Sequence, residues 1–314
     1  MLWLLAVAGL FFAALYGCFR LVFYVPQRQK ENLPEFDIPP GKIYEPFRDQ
    51  MIGWIRDVRA MPQEDVSIRS FDGLTLRGKY YEFEPGAPME LMFHGYRGNA
   101  QRDLCGGVQR CFALGRSALV VEQRASAGSD GHVISMGIHE RQDCLDWVNF
   151  AIDRFGSDVK IVLTGISMGA ATVLMAAGSD LPENVVGVLA DCGYTSPKEI
   201  ILKIIRQIHM PQKLLYPMIR WGGKLFGGFD LEEYSPLEAV KTCKIPVIFF
   251  HGEADDYVPC EMSRINYEAC NAPKRLVTIP GAGHGLAYPV DPEKYLNALA
   301  EMSHIWGIPT WVRK

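Results

Sequence analysis

Val159-Lys-Ile-Val-Leu-Thr-Gly165-Ile-Ser167-Met-Gly169-Ala-Ala-Thr-Val-Leu-Met175 is the stretch on which the fold reading turns. Its first half, rich in Val, Ile and Leu, reads as a buried strand. Its second half, small and apolar through Ala170, Ala171, Ala176 and Ala177, reads as a helix. Between them lies G-x-S-x-G, and strand–turn–helix is the context of a nucleophile elbow. So sharp a turn forces its serine into a strained backbone conformation with the hydroxyl projecting. A side chain at Gly165 or Gly169 would meet the neighbouring strand or the helix start. At average usage roughly one chain in ten of this length carries the pentapeptide by accident. The reading therefore rests on what surrounds it.

Downstream, two further strand–loop units supply the groups that a serine needs. Ile245-Pro-Val-Ile-Phe-Phe leads into His251-Gly-Glu-Ala-Asp255-Asp-Tyr-Val-Pro259, and Leu276-Val-Thr-Ile leads into Pro280-Gly-Ala-Gly-His284-Gly. A serine hydroxyl is inert at neutral pH unless an imidazole takes its proton and a carboxylate fixes the imidazole tautomer. Ser167, Asp255 and His284 follow one another in the order Ser…Asp…His of elbow-type sites. Two backbone donors must then hold the oxyanion. These are expected to be the N–H of Met168 and the N–H of Tyr96, in the loop His94-Gly95-Tyr96 after the strand Leu91-Met-Phe93. Asp256 rivals Asp255, and the spacing H-G-x-x-D favours Asp255. His94 and His251, each before a glycine after a strand, are read as structural. Glu253 is read as solvated, and Cys192, which has no elbow, as pocket wall.

The rest of the chain fits this frame. Strands and helices alternate from Glu64 onward, which implies a mostly parallel sheet covered on both faces, with reactive groups at the strands' C-terminal ends. Glu64 to Tyr81 reads as a hairpin about Asp72-Gly73. Helices are expected over Ile43 to Ala60, Gln101 to Leu114 and Ile138 to Phe155. Some fifty residues separate the strand Val185 to Asp191 from Ile245, too many for a plain connection. They read as a helical lid at about 195–235. In it, Ile200, Ile201, Ile204, Ile205 and Ile208 share one face of a helix over Glu199 to His209, opposite Lys203, Arg206 and Gln207. A second helix is expected over Lys213 to Phe226. Ile200 to Phe229 holds Lys203, Arg206, Lys213, Arg220 and Lys224 but no acidic residue. The isoleucines suit an apolar pocket; the cations suit either water or an anionic bilayer.

Leu2 to Phe19 is an uncharged apolar run resumed after Arg20 by Leu21 to Val25, long enough to cross a bilayer. It has no basic n-region or A-x-A site, so a retained anchor is expected rather than a cleaved signal. Arg20, Arg28 and Lys30 on its C-terminal flank favour a cytoplasmic main domain. Residues 1–25 are thus read as an anchor, 26–62 as linker and leading helix, and 63–314 as one large domain. The 314 residues carry a net charge of −4, which gives no basic field for nucleic acid. Eight scattered cysteines without C-x-x-C pairs suggest neither a disulfide framework nor a zinc site. No H-E-x-x-H, Walker A or G-x-G-x-x-G occurs, and no cofactor or metal is expected.

On His94-Gly95, Gly165-Ile-Ser-Met-Gly169, His251-Gly-x-x-Asp255-x-x-Val-Pro259 and Gly283-His284-Gly285, each behind its strand, the chain resembles the α/β-hydrolases. It is similar to a bacterial membrane-anchored subgroup that sequence groups with serine aminopeptidase-like and esterase-like hydrolases. The resemblance covers roughly Glu64 to the C-terminus and implies an eight-stranded sheet with a lid. It implies a cofactor-free serine hydrolase acting on a small acyl substrate, with a carboxylic ester favoured. A peptidase or thioesterase would use the same triad, and a membrane-tethered binding protein would use only the fold. One departure is Glu122-Gln-Arg-Ala-Ser-Ala-Gly-Ser129, where Ala125 and Ser126 replace the usual small residues of an Arg-Gly-x-Gly-x-Ser loop.

Overall fold

The computed structural model describes residues 2–27, 30 and 33–309; Arg28, one of the flanking cations, lies outside them. An N-terminal helix, α1 (Leu2–Val22), is followed by a 3-10 turn (Lys42–Phe47) and α2 (Arg48–Ala60). The helix expected over Ile43 to Ala60 is thus split, with Pro46 inside the tighter turn. An eight-stranded sheet follows: β1 (Glu64–Arg69), β2 (Thr75–Tyr81), β3 (Met89–Phe93), β4 (Ser117–Glu122), β5 (Ile161–Ile166), β6 (Val185–Asp191), β7 (Val247–Gly252) and β8 (Lys274–Ile279). Its spatial order is β1-β2-β4-β3-β5-β6-β7-β8, with β2 antiparallel to both of its neighbours, β1 and β4, and the remaining pairs parallel. The order reverses direction at β3, between β4 and β5, so a crevice opens at the C-terminal ends of β3 and β5.

Between the strands run α3 (Ala100–Asp103), α4 (Cys105–Ala113), α5 (Glu140–Phe155), α6 (Met168–Ala177), α7 (Pro197–Gln207), α8 (Gln212–Gly222), α9 (Pro236–Thr242) and α10 (Cys260–Ala269), and after β8 come α11 (Ala287–Val290) and α12 (Pro292–Trp306). The helix expected over Gln101 to Leu114 starts at Ala100, capped by Asn99, and breaks at Leu104, whose φ of −117° and ψ of 12° are not helical. The central strands are buried on both faces, and their side chains alternate between two cores. Ile161, Leu163, Val247 and Phe249 meet α5, α6 and Val240 of α9. Val162, Leu189, Ile248 and Phe250 meet α2 and α12.

α7, α8, a π turn (Gly223–Gly227) and α9 form the insertion between β6 and β7. Ser196 caps α7 by accepting from the N–H of Glu199, and Pro197 occupies the first turn, where a missing N–H costs nothing. Ile200, Ile201 and Ile205 are buried as their periodicity required. The cations behave differently. Arg220 forms a two-pronged pair with Asp230 at 2.6 and 2.8 Å and also meets Glu232 at 2.9 Å; Lys224 meets Asp230 at 3.0 Å. Asp230 is accordingly held well below the usual carboxylate range, by hydrogen bonding from Arg220 foremost. The acid-free stretch ends at Phe229, and the next turn supplies its counter-charges. Lys203, rather than facing water, donates to the carbonyls of Asp256 and Tyr257 (2.8 Å to the latter) and ties α7 to the loop after β7.

α1 is not a detached rod. Leu15, Phe19 and Phe23 are buried, and Phe19 and Phe23 share a core with Ile200, Ile205, Ile219 and Phe229. Beyond its end the chain pairs with the body, Val25 N–H donating to the His132 carbonyl and Ile134 N–H to that of Phe23.

A buried ion cluster lies under the crevice. Glu90, within β3 and fully buried, accepts from Arg110, from Arg116 at 2.6 Å and from Thr164 Oγ1 at 2.9 Å. Burial raises its pKa, but the two guanidinium groups and the hydroxyl outweigh that and hold it down to about 2. Because this lies below the unfolded value, the stability that Glu90 contributes is present above about pH 4.3 and fades as pH falls toward 2. Glu90→Ala strands two buried guanidinium groups and is expected to lower the unfolding free energy by about 3–5 kcal/mol. Urea titrations in detergent, at neutral pH and at about pH 3, should show the difference shrinking in acid.

Candidate active site

The elbow forms between β5 and α6. Ser167 has φ 56° and ψ −117°, a region that L-residues avoid, and its N–H donates to the Asp191 carbonyl at 2.8 Å. Both flanking glycines are sterically required. A Cβ on Gly169 would lie 2.1 Å from the Phe93 carbonyl oxygen, and one on Gly165 would lie 2.2 Å from the backbone of Gly169.

The three side chains that the sequence singled out meet here. His284 Nε2 stands 2.9 Å from Ser167 Oγ, and His284 Nδ1 stands 2.7 Å from Asp255 Oδ2. With Nδ1–H donating to the carboxylate, Nε2 is left to accept the serine proton. Asp255 Oδ1 accepts from the N–H groups of Tyr257 (2.9 Å) and Val258 (2.8 Å). Burial pushes the Asp255 pKa up, yet hydrogen bonding from His251 and His284 wins and holds it well below the usual carboxylate range. Asp256 is exposed, lines a cavity shared with Ser167 and His284, and makes no bond to this series.

His94 and His251 are structural, as their positions suggested. Gln123 N–H donates to His94 Nε2 at 3.0 Å, while Nδ1 meets the Gly95 carbonyl at 2.8 Å. His251 spans Ser263 Oγ (2.7 Å) and the Val258 carbonyl (2.8 Å), which fixes the loop that carries Asp255. Glu253 is exposed and accepts from Thr278 Oγ1 at 2.6 Å. Cys192 is not pocket wall: it is fully buried beneath the site. Its thiol, with Asp255 and His284, forms a group of donor atoms within 4.8 Å of one another. Burial pushes that thiol far above its ordinary pKa, so it stays protonated and is a poor metal ligand or nucleophile.

The loop after β3 lies against the serine; a Cβ on Gly95 would sit 3.4 Å from Ser167 Cβ. Among the hydrogen bonds of the described residues, none uses the Tyr96 N–H, and Met168 N–H, first in α6, has no intrahelical acceptor. Both amides border the serine and are free to donate. The sequence did not reveal what holds this loop. Asp103 Oδ2 accepts from Gly95 N–H at 2.9 Å, and Arg97, at φ 52°, donates to the carbonyls of Leu21 (2.8 Å) and Tyr24 (3.2 Å). Tyr96 Oη donates to the Val22 carbonyl, and Tyr44 Oη to that of His284 at 3.0 Å. These partners lie far apart in sequence and carry no local pattern. The unusual loop after β4 serves the same end: Gln123 Nε2 donates to the His94 carbonyl at 2.6 Å and Ser126 Oγ to that of Gly98 at 2.7 Å. Ala125, at φ 61°, takes a conformation in which glycine would be unstrained.

Among the described residues, two cavities reach Ser167. One, of about 560 Å³, extends past His284 toward Tyr44, Trp54, Arg102 and Tyr288. The other, of about 310 Å³, runs under the insertion and is lined by uncharged residues alone. A serine held between amide donors and an imidazole–carboxylate pair, with an apolar slot beside it, is equipped to exchange an acyl group.

Sheet order, elbow and site define the chain as an α/β-hydrolase. Residues 134–301 match the prolyl oligopeptidase family, and the chain belongs to that family of hydrolases. It is 28% identical over 189 residues to protein YqkD of Bacillus subtilis, covering 60% of this chain and only 62% of that protein's length. It is 25% identical to the Schizosaccharomyces pombe protein bem46, over 71% of each chain. Its fold matches the Pyrococcus furiosus esterase Pf2001 with a TM-score of 0.65 at 19% identity, covering 88% of this chain and 99% of that one.

The steric reading of the elbow is directly testable. Gly169→Ala drives a methyl group into the Phe93 carbonyl and is expected to destabilise the fold by roughly 3 kcal/mol or more. A lowered urea midpoint, or failure to accumulate folded protein, is the outcome expected on expression.

Proposed function

We propose that this chain is a membrane-tethered serine hydrolase that cleaves carboxylic esters with an apolar acyl group. The observation that carries this reading is the bonded series Ser167–His284–Asp255, with 2.9 and 2.7 Å contacts, at the end of an uncharged cavity. In this account Ser167 Oγ attacks the ester carbonyl carbon as its proton passes to His284 Nε2. The carbonyl oxygen, now an anion, is held by the N–H groups of Met168 and Tyr96. As the C–O bond to the alcohol breaks, His284 returns the proton to that oxygen and the alcohol leaves. A water then attacks the acyl-serine, giving its proton to His284, and the acid departs as Ser167 is restored. Asp255 keeps the imidazole in the tautomer that both steps need. The insertion acts as a lid, the domain being 63–314 with a linker and leading helix over 26–62.

Trp3–Val22 is long and apolar enough to cross a membrane, as a signal sequence also is. Burial of Phe19 and Phe23 in the same core as the insertion supports a retained anchor over residues 1–25, because cleavage would expose that core. Its basic C-terminal flank favours a cytoplasmic body.

The match to the prolyl oligopeptidase family supports a second reading, peptide or amide hydrolysis by the same groups. A fluorophosphonate probe should label the folded protein, and Ser167→Ala should abolish labelling; an unlabelled wild type would overturn the hydrolase reading. Asp255→Asn is expected to lower kcat by about 10³–10⁴-fold through loss of the tautomer. Turnover of chromogenic esters with none of amino-acid amides supports the esterase; the reverse selects the peptidase.

A further inference from the structure

The smaller cavity has an unexpected wall. Cys18, Leu21 and Val22 of α1 line it together with Ile204, Ile208 and Leu215 of the insertion, and Ser167 and Met168 line it as well. We propose that the acyl chain of a bilayer-resident ester lies in this slot, entering sideways between α1 and α7–α8, so that the N-terminal helix is part of the acyl-binding site. This rests on the hydrolase reading above.

The lengths support it. From Trp3 to Ala14, α1 is exposed for twelve residues, about 18 Å. A hydrocarbon core is about 30 Å thick. A helix that crosses it must therefore carry its packed turns, from Leu15 on, to hydrocarbon depth, and the insertion beside those turns goes with them. The surface there is of the matching kind. Leu21 is 78% exposed, Leu214 63%, Ile208 58% and Trp221 52%. The one cation in this part of α1, Arg20, lies 3.7 Å over the Tyr24 ring at the helix end, placed to reach the headgroups. Arg220 and Lys224 are already paired to Asp230, so they do not oppose immersion as bare charges would.

The helix also holds the loop that supplies an amide to the site: the carbonyls of Val22, Leu21 and Tyr24 accept from Tyr96 Oη and Arg97. Occupancy of the slot and geometry of the loop thus share one support.

The test uses the full chain in phosphatidylcholine vesicles and two fluorophosphonate probes, ethyl and dodecyl, with labelling of Ser167 as the readout. Wild type is expected to prefer dodecyl on the order of ten-fold or more, the scale set by burying a few methylenes. Leu21→Trp and Ile204→Trp fill the slot from its two sides and should bring the ratio of the two rates toward one. Because the readout is a ratio within each variant, partial unfolding does not mimic the effect. Ile204→Ala, which widens the slot, should keep or raise the dodecyl preference. Wild type without chain preference, or tryptophan variants that retain it, would overturn the acyl slot while leaving the hydrolase reading intact. Absence of labelling by either probe would overturn both.

Discussion

Ser167 is held at a backbone angle that it would not adopt alone, and the chemistry proposed for this protein depends on that strain. The angle persists because β5 feeds straight into α6 and because glycines on either side let the strand, the helix and the end of β3 close to within contact. Relaxation to an ordinary φ would swing the hydroxyl out of reach of His284. The surroundings over-determine the turn: the Ser167 amide is tied to β6, α6 is wholly buried, and Glu90 braces β3 from beneath. Strain of this size is affordable only in so rigid a frame.

A second consequence of the frame is a division of labour among polar residues. His284 touches the serine and Asp255 touches His284, whereas His251 and Tyr44 hold the loops from which those two groups project, and His94 and Asp103 hold the loops after β3 and β4 beside them. Such positioning matters because a misplacement of about 1 Å near the reacting atoms can lower rates by two orders of magnitude. The anionic state of Asp255 follows from the same crowding, since its neighbours' hydrogen bonds outweigh its burial.

The site was legible in sequence because its parts are local. Each of Ser167, Asp255 and His284 sits in a short glycine-bearing loop after an apolar strand, and their order along the chain suffices to relate them. Buried strands declared themselves through β-branched runs, although Glu90 within β3 did not, because nothing nearby foretells Arg110 and Arg116 as partners. The basic stretch from Ile200 to Phe229 misled for a similar reason, its counter-charges Asp230 and Glu232 lying one turn past the window. Least legible was α1: in a uniformly apolar run, Leu15 and Phe19 look like Leu10 and Phe12, and only the fold distinguishes residues that face the insertion from those that face outward.

The claim that Ser167 carries the acyl group between two half-reactions is the one on which the functional account stands. Rapid acid quench of the wild-type protein with a chromogenic medium-chain ester, followed by peptide mass analysis, tests it most directly. The account predicts the mass of the acyl group on the peptide that holds Ser167, appearing within the first turnover. Continued turnover with that peptide unmodified, or with the acyl group on another residue, would contradict it.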